Sequence, residues 1–245
     1  MRRSLKRVEQ NEAEEETEEE MSAKTNAKVF YRLGLTGSIG TGKSTISKML
    51  KEELAVPVFD ADEEVHLMYE DRASVACRSI AMSASFNAGK VLKEDGTVDR
   101  AKLRDCVVTD KEKMRELESI VHPLVDRARE EFVRVNSQES SFAILVFDVP
   151  LLFEKNLEGT VDGVLVVSCA EETQRERVLK RGNGMTNEKF EKIKQMQISD
   201  DEKRRRADWV VTTDCAIEES LSKVKEIVRE IKEKYLSTTT ATTTT

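Results

Sequence analysis

The chain is 245 residues long, with 38% hydrophobic and 36% charged residues and a formal net charge of −7. That length suits one domain, or one domain with an inserted lobe, and the composition is polar yet compatible with a core. No apolar run approaches the roughly 18 residues of a membrane span, and the charge lacks the basic footprint of a nucleic-acid binder, so small molecules are the expected partners.

The acidity is unevenly placed. In the first twenty residues eight glutamates face Arg2, Arg3, Lys6 and Arg7, while the body of the chain is nearly balanced. Low hydrophobicity with like-charge repulsion predicts a disordered acidic tail over 1–28. Its basic opening suggests a mitochondrial transit peptide, but such peptides avoid acidic residues. A cytoplasmic location is therefore the expectation and a mitochondrial one the lesser alternative. Cys77, Cys106, Cys169 and Cys215 are spaced too widely for a zinc knuckle or a CxxC pair and read as reduced thiols. Two histidines argue against a multi-histidine metal site.

From residue 29 onward, short apolar runs alternate with longer charged stretches of helical period. The runs 29–36, 56–59, 142–149, 163–168 and 209–212 read as strands, and 43–54, 111–135, 171–181, 186–197 and 217–236 as helices. Strands separated by helices imply βαβ crossovers, hence an α/β fold with a parallel sheet of about five strands covered on both faces. Residues 63–135 carry no convincing strand and read as an inserted helical lobe. The threonine-rich stretch 237–245 is low-complexity and is expected to lie outside the fold.

Gly37-Ser38-Ile39-Gly40-Thr41-Gly42-Lys43-Ser44, followed by Thr45, matches G-x-x-x-x-G-K-[ST]. It follows an apolar run and opens a helical pattern in which Ile46, Met49 and Leu50 share a face. Glycines let the backbone turn so that successive N–H groups converge on phosphate oxygens, and a helix start adds its positive end. Lys43 suits the β- and γ-phosphates, and the Ser44 hydroxyl suits Mg²⁺. The competing reading is a glycine-rich turn feeding a helix; strand, loop and helix in register favour a nucleoside triphosphate site.

Asp60-Ala61-Asp62 follows the second strand, at the end that faces the ligand crevice of an open α/β sheet. Asp62 is either a carboxylate for the phosphate-accepting group or the N-cap ahead of Glu63 and Glu64; one aspartate could do each job. His122-Pro123 breaks a helical pattern. Asp148 ends the third strand, as a Mg²⁺-side carboxylate or as a cap for the turn at Pro150. Gln174, Arg177 and Arg181 share a helix face, which is either solvated surface or a grip on phosphates. The basic run Lys203-Arg204-Arg205-Arg206 reads mostly as charged surface.

Taken in order, the phosphate loop, Asp60-Ala61-Asp62, His122-Pro123, Pro150-Leu151-Leu152-Phe153-Glu154 and the Gln174/Arg177/Arg181 spacing resemble the dephospho-CoA kinase family over about residues 32–236. The resemblance implies a P-loop kinase core over about 29–62 and 140–236. To it are added a helical CoA-binding insertion over about 63–135 and a small helical lid over about 181–206. It implies transfer of the ATP γ-phosphate to the ribose 3′-hydroxyl of dephospho-CoA, with Mg²⁺, giving CoA and ADP. It further implies Asp62 beside the acceptor hydroxyl, and Lys43, Arg177 and Arg181 on the ATP phosphates. Arg100 would lie on the substrate pyrophosphate and His122 against the CoA substrate, although a histidine before proline also reads as a buried hydrogen-bonding residue. The sequence departs from the family pattern after the last strand, where Thr212-Thr213-Asp214-Cys215 replaces the common Asn and Gly and leaves purine selectivity open. Two rivals stand beside this reading: another small-metabolite kinase of the nucleoside monophosphate type, and a nucleotide-responsive binding protein without turnover. Asp62 and the arginine pair weigh against the latter.

Overall fold

Five apolar runs assemble into one parallel sheet in the computed structural model, which describes residues 30–138, 143–182 and 184–242. The expected tail over 1–28 and the predicted strand residues 29 and 142 lie outside the described residues. The strands are β1 (Phe30–Gly37), β2 (Val58–Asp60), β3 (Ala143–Asp148), β4 (Gly163–Ser168) and β5 (Trp209–Thr212), in the order β2-β3-β1-β4-β5. β4 is buried along its whole length, as a strand covered on both faces must be. The connections leaving β1 and β3 run in opposite directions along the sheet, which opens a crevice at the strand ends between them. Register pairs Leu35 with Asp148, Gly37 with Val167 and Asp60 with Asp148, so the motif residues all gather at that edge.

The helix after the loop, α1 (Lys43–Lys48), passes into a π turn over Met49–Glu53, closed by Leu54 N–H donating to Met49 O at 3.2 Å. Ile46, Met49 and Leu50 on this segment pack with Leu33, Leu35, Val146 and Leu165 of the sheet. The last helix, α10 (Ile217–Thr242), closes the same core with Val224, Ile227 and Ile231. It runs past residue 236, where the fold was expected to end. A helix already nucleated by packing extends at one hydrogen bond per residue, and threonine costs it only a fraction of a kcal/mol per residue, roughly 0.7 at most.

Between β2 and β3 lie α2 (Ala61–Glu70), α3 (Val75–Met82), α4 (Ala88–Val91), α5 (Arg100–Val107) and α6 (Lys111–Gln138). Side-chain caps from Asp60, Ser74 and Asp99 start three of these helices. The lobe has its own core, built on Tyr69, Ala76, Ile80, Phe86, Leu103 and Val121. Among the described residues its only extended pairing is one antiparallel bridge between Leu92 and Val98. Phe132 of α6 meets Phe59 and Phe147 at ring separations of 5.5 and 6.0 Å, which ties the lobe to the sheet. Pro123 does not break α6. A mid-helix proline costs about 3 kcal/mol, and here Leu117, Val121, Leu124 and Val125 on either side of it pack into the lobe core and hold the helix together. His122 is exposed, which removes the buried reading of that residue.

The remaining helices are α7 (Glu171–Lys180), α8 (Asn187–Gln195) and α9 (Asp200–Arg206). Lys203 is fully buried, with its Nζ 2.8 Å from Glu154, so it is not surface charge as its neighbours suggested. Glu154 also accepts the Ile198 N–H at 3.0 Å. Burial raises the Glu154 carboxyl, but Lys203 and the backbone donors outweigh it and hold the group below its ordinary range. Arg206 pairs with Glu158 and lies over the Phe153 ring at 4.5 Å, while Arg204 and Arg205 are exposed as expected. Among the described residues no helix is long and apolar enough to cross a membrane.

Candidate active site

The loop between β1 and α1 owes its shape to two glycines in the left-handed region, Gly40 at φ 80° and Gly42 at φ 90°. Gly40 is further constrained because a Cβ there would stand 2.7 Å from Gln174 O and 2.8 Å from Val178 Cγ2, so the loop rests directly on α7. Thr41 is buried and folds the loop on itself, donating through Oγ1 to Ser38 O at 2.9 Å. Gly42 O accepts from Thr45 and Ile46 at 2.9 and 3.2 Å, which starts the helix. At a helix start the Lys43 and Ser44 N–H groups have no acceptor four residues back, so they are available to an anion. Ser44 and Thr45 are exposed beside them.

One aspartate, Asp148, faces the lysine, and Asp60 and Asp62 lie close enough to Asp148 to act on its charge. Lys43 Nζ is ion-paired with the buried Asp148. Burial pushes the Asp148 carboxyl above its ordinary range; Lys43 opposes this, and the charges of Asp60 and Asp62 add to it. Asp148 therefore serves the lysine rather than the turn at Pro150. The α2 cap is Asp60, whose Oδ1 accepts the N–H groups of Asp62 at 2.9 Å and Glu63 at 3.1 Å. Asp62 is not the cap: it sits inside the first turn with its side chain exposed, near enough to Asp148 to act on its charge.

Arg177 and Arg181 come down from α7 on the other side of the loop. A cavity of about 440 Å³ opens there, lined among others by Gly42, Thr45, Arg177, Arg181, Thr213 and Cys215. Arg177 donates to Thr213 Oγ1 at 2.7 Å and to Thr213 O at 2.6 Å, and Arg181 is exposed at the end of α7. Gln174, on the same helix face, is buried and donates to Cys169 O at 2.9 Å. The turn after β5 is fixed by Asp214 accepting the Ala170 N–H at 2.7 Å.

Arg100 and His122 lie in the helical lobe rather than at the strand ends. Arg100 begins α5 close to Tyr69, where its charge opposes the burial that drives the tyrosine hydroxyl up to about 12. Sequence reasoning passed over Gln197, whose Oε1 accepts the Ile39 N–H at 3.1 Å and so touches the phosphate loop from the segment after α8. It also treated Thr213 only as a departure from a pattern. Nothing in local periodicity flags either residue. Among the described residues no cluster of three or more His, Cys, Asp or Glu forms a ready metal cage.

The model of the dephospho-CoA kinase family matches residues 31–219. A dephospho-CoA kinase of Agrobacterium fabrum is 46% identical over 200 residues, covering 81% of this chain and 97% of that protein. One of Novosphingobium aromaticivorans is 46% identical over 204 residues, covering 83% and 96%. A crystal structure from Thermus thermophilus superposes with a TM-score of 0.64 at 30% identity, over 82% of this chain and 96% of that one. The fold is likewise that of a dephospho-CoA kinase from Campylobacter jejuni, with a TM-score of 0.57 at 22% identity over 82% and 97% of the two chains. With most of its length matched, and the loop, aspartates and arginines of the motif meeting at one edge of the sheet, the chain belongs to the dephospho-CoA kinase family.

Proposed function

We propose that this protein transfers the γ-phosphate of ATP to the ribose 3′-hydroxyl of dephospho-CoA, giving CoA and ADP. The observation that carries the reading is a phosphate loop flanked on one side by Asp148, Asp60 and Asp62 and on the other by a cavity holding Arg177 and Arg181, in a chain of this family. Phosphoryl transfer asks the protein for position and charge rather than covalent chemistry. The loop N–H groups and Lys43 take the triphosphate, Lys43 exchanging Asp148 for phosphate as ATP enters. Arg177 and Arg181 neutralise charge from the opposite side. Asp62 orients or deprotonates the acceptor hydroxyl, while Asp60 holds the start of α2 on which Asp62 stands. Arg100 and His122 face the CoA substrate from the lobe.

The Ser44 hydroxyl and the Asp148 carboxylate are hard oxygen donors flanking Lys43 and fit Mg²⁺, which uses one or two such groups alongside phosphates and waters. When bound, Mg²⁺ supplies neutralisation of the β- and γ-phosphate charge. Cytoplasmic residence is in keeping with four free thiols.

A kinase must keep water from the γ-phosphate. Gly182 and Gly184, at φ 72° and 66°, give backbone freedom just after Arg181, whereas α9 is fastened by Lys203 to Glu154. The closing segment is the front of 181–206, up to about residue 197, hinged on those glycines, and its movement works against the pairs Arg175–Glu191 and Lys194–Glu171 that hold α8 to α7. Amide exchange there is expected to slow when a nonhydrolysable ATP analogue and dephospho-CoA bind together. Unchanged exchange at saturation would refute closure.

ADP release measured with dephospho-CoA, AMP and adenosine as acceptors tests the activity itself. Dephospho-CoA should lead in kcat/KM by on the order of 10²-fold or more, the scale set by a site built around its acceptor's polar groups. Comparable rates with AMP would replace the reading with a nucleoside monophosphate kinase.

A further inference from the structure

Thr213 stands immediately after β5, where its N–H donates to Ser168 O at 3.0 Å and pins it at the end of the sheet. It is 9% exposed. Its hydroxyl both donates and accepts. The proton goes to Thr41 O at 2.7 Å, and a lone pair accepts from Arg177 Nη1 at 2.7 Å. Its carbonyl takes Arg177 Nη2 at 2.6 Å, so the guanidinium fork is gripped at two points by one residue.

Each bond sets the direction of a group aimed at phosphate. The Thr41–Gly42 peptide is trans and planar, so holding the Thr41 carbonyl toward Thr213 turns the Gly42 N–H the opposite way. The guanidinium in turn lies beside the same glycine, since a Cβ on Gly42 would come within 3.6 Å of Arg177 Nη1 and 3.5 Å of the Thr213 side chain. Two of the five arginine N–H donors are spent on Thr213, which leaves the others and the charge for a ligand.

We infer that Thr213 is a positioning residue for ATP: its single hydroxyl fixes both the Gly42 N–H of the phosphate loop and the guanidinium of Arg177. The inference rests on the assignment of Arg177 to the ATP phosphates. Valine preserves the shape of threonine without the hydroxyl, and serine preserves the hydroxyl. Losing one orienting bond to a charged group is worth on the order of tenfold. Thr213→Val should therefore raise the KM for ATP about tenfold while the KM for dephospho-CoA stays put, and Thr213→Ser should recover most of the loss. Thr213→Ala replaces the valine variant if the latter melts below the assay temperature. Arg177→Ala should be worse than either, and Thr213→Val added to Arg177→Ala should cost less than the product of the two single losses, because half of what the hydroxyl orients is already gone. A wild-type KM in the hydroxyl-free variant, serine behaving like valine, or losses that multiply in full would each overturn the role of Thr213. Arg177→Ala at wild-type kcat and KM would instead overturn the assignment of the arginine, and the inference with it.

Discussion

Lys43→Ala should reduce turnover on the order of 10³-fold or more, since the lysine charge acts on the phosphoryl group as it transfers. The substitution also has a structural consequence. Lys43 is the cation paired with buried Asp148, and removing one partner of a buried pair leaves an uncompensated charge that costs about 3–5 kcal/mol. The carboxyl can relieve part of that cost by holding its proton, a tendency that burial already gives it in the intact protein. The sign follows from linkage: a carboxyl whose pKa is higher folded than unfolded binds more protons in the folded state, so stability falls as pH rises through the carboxylate range. The Lys43→Ala variant should thus melt lower than wild type near neutrality and approach it in mild acid. Adding Asp148→Asn should restore the melting temperature without restoring turnover. Kinetics beside thermal melts of the single and double variants separate the two effects. Turnover of Lys43→Ala within about threefold of wild type would sink the assignment of the loop, because a transition-state contact cannot be lost so cheaply.

What could be read from the chain before folding follows the range of each interaction. The phosphate loop is a local object: an apolar strand, two glycines that must take positive φ, and a helix start, all within sixteen or so residues, so its chemistry is visible in the sequence. The sheet was visible for the same reason, since β4 is a fully buried apolar run and β5 a short, largely apolar one, both with clear edges. The residues that escaped notice act across long separations. Thr213 reaches Thr41 over 172 positions, and Gln197 reaches Ile39 over 158. Lys203 looked like the arginines beside it, and only its burial against Glu154 distinguishes it. Pro123 misled in the other direction: a local rule against proline in helices yielded to the packing of α6 on the lobe core. The aspartate pair lies between these cases. The pattern Asp60-Ala61-Asp62 announced one cap and one free carboxylate, but the assignment between them depended on which side chain could fold back on the first-turn N–H groups.

That assignment sharpens the expected effect of Asp62→Asn. Asp60 does the capping, through Asp62 N–H and Glu63 N–H, so a change in the Asp62 side chain leaves the cap intact and the melt should stay near wild type. The substitution keeps size and polarity and removes only the charge that can receive or orient a proton from the acceptor hydroxyl. Loss of a general base costs on the order of 10²-fold or more in kcat. Removing that charge also takes one of the two negative neighbours away from Asp148, which favours the ionised form of Asp148 and its pairing with Lys43. ATP binding should change little, because the loop and Lys43 hold the triphosphate without help from the acceptor side. The decisive comparison is kcat with dephospho-CoA against the Kd of an ATP analogue, measured on the same folded variant: a steep fall in the first with an unmoved second identifies Asp62 as the group acting on the hydroxyl. A kcat within about fivefold of wild type, too small a loss for a general base, would make Asp62 structural. The base would then be sought in Asp60, whose replacement by asparagine keeps the cap and so exposes any catalytic contribution on its own.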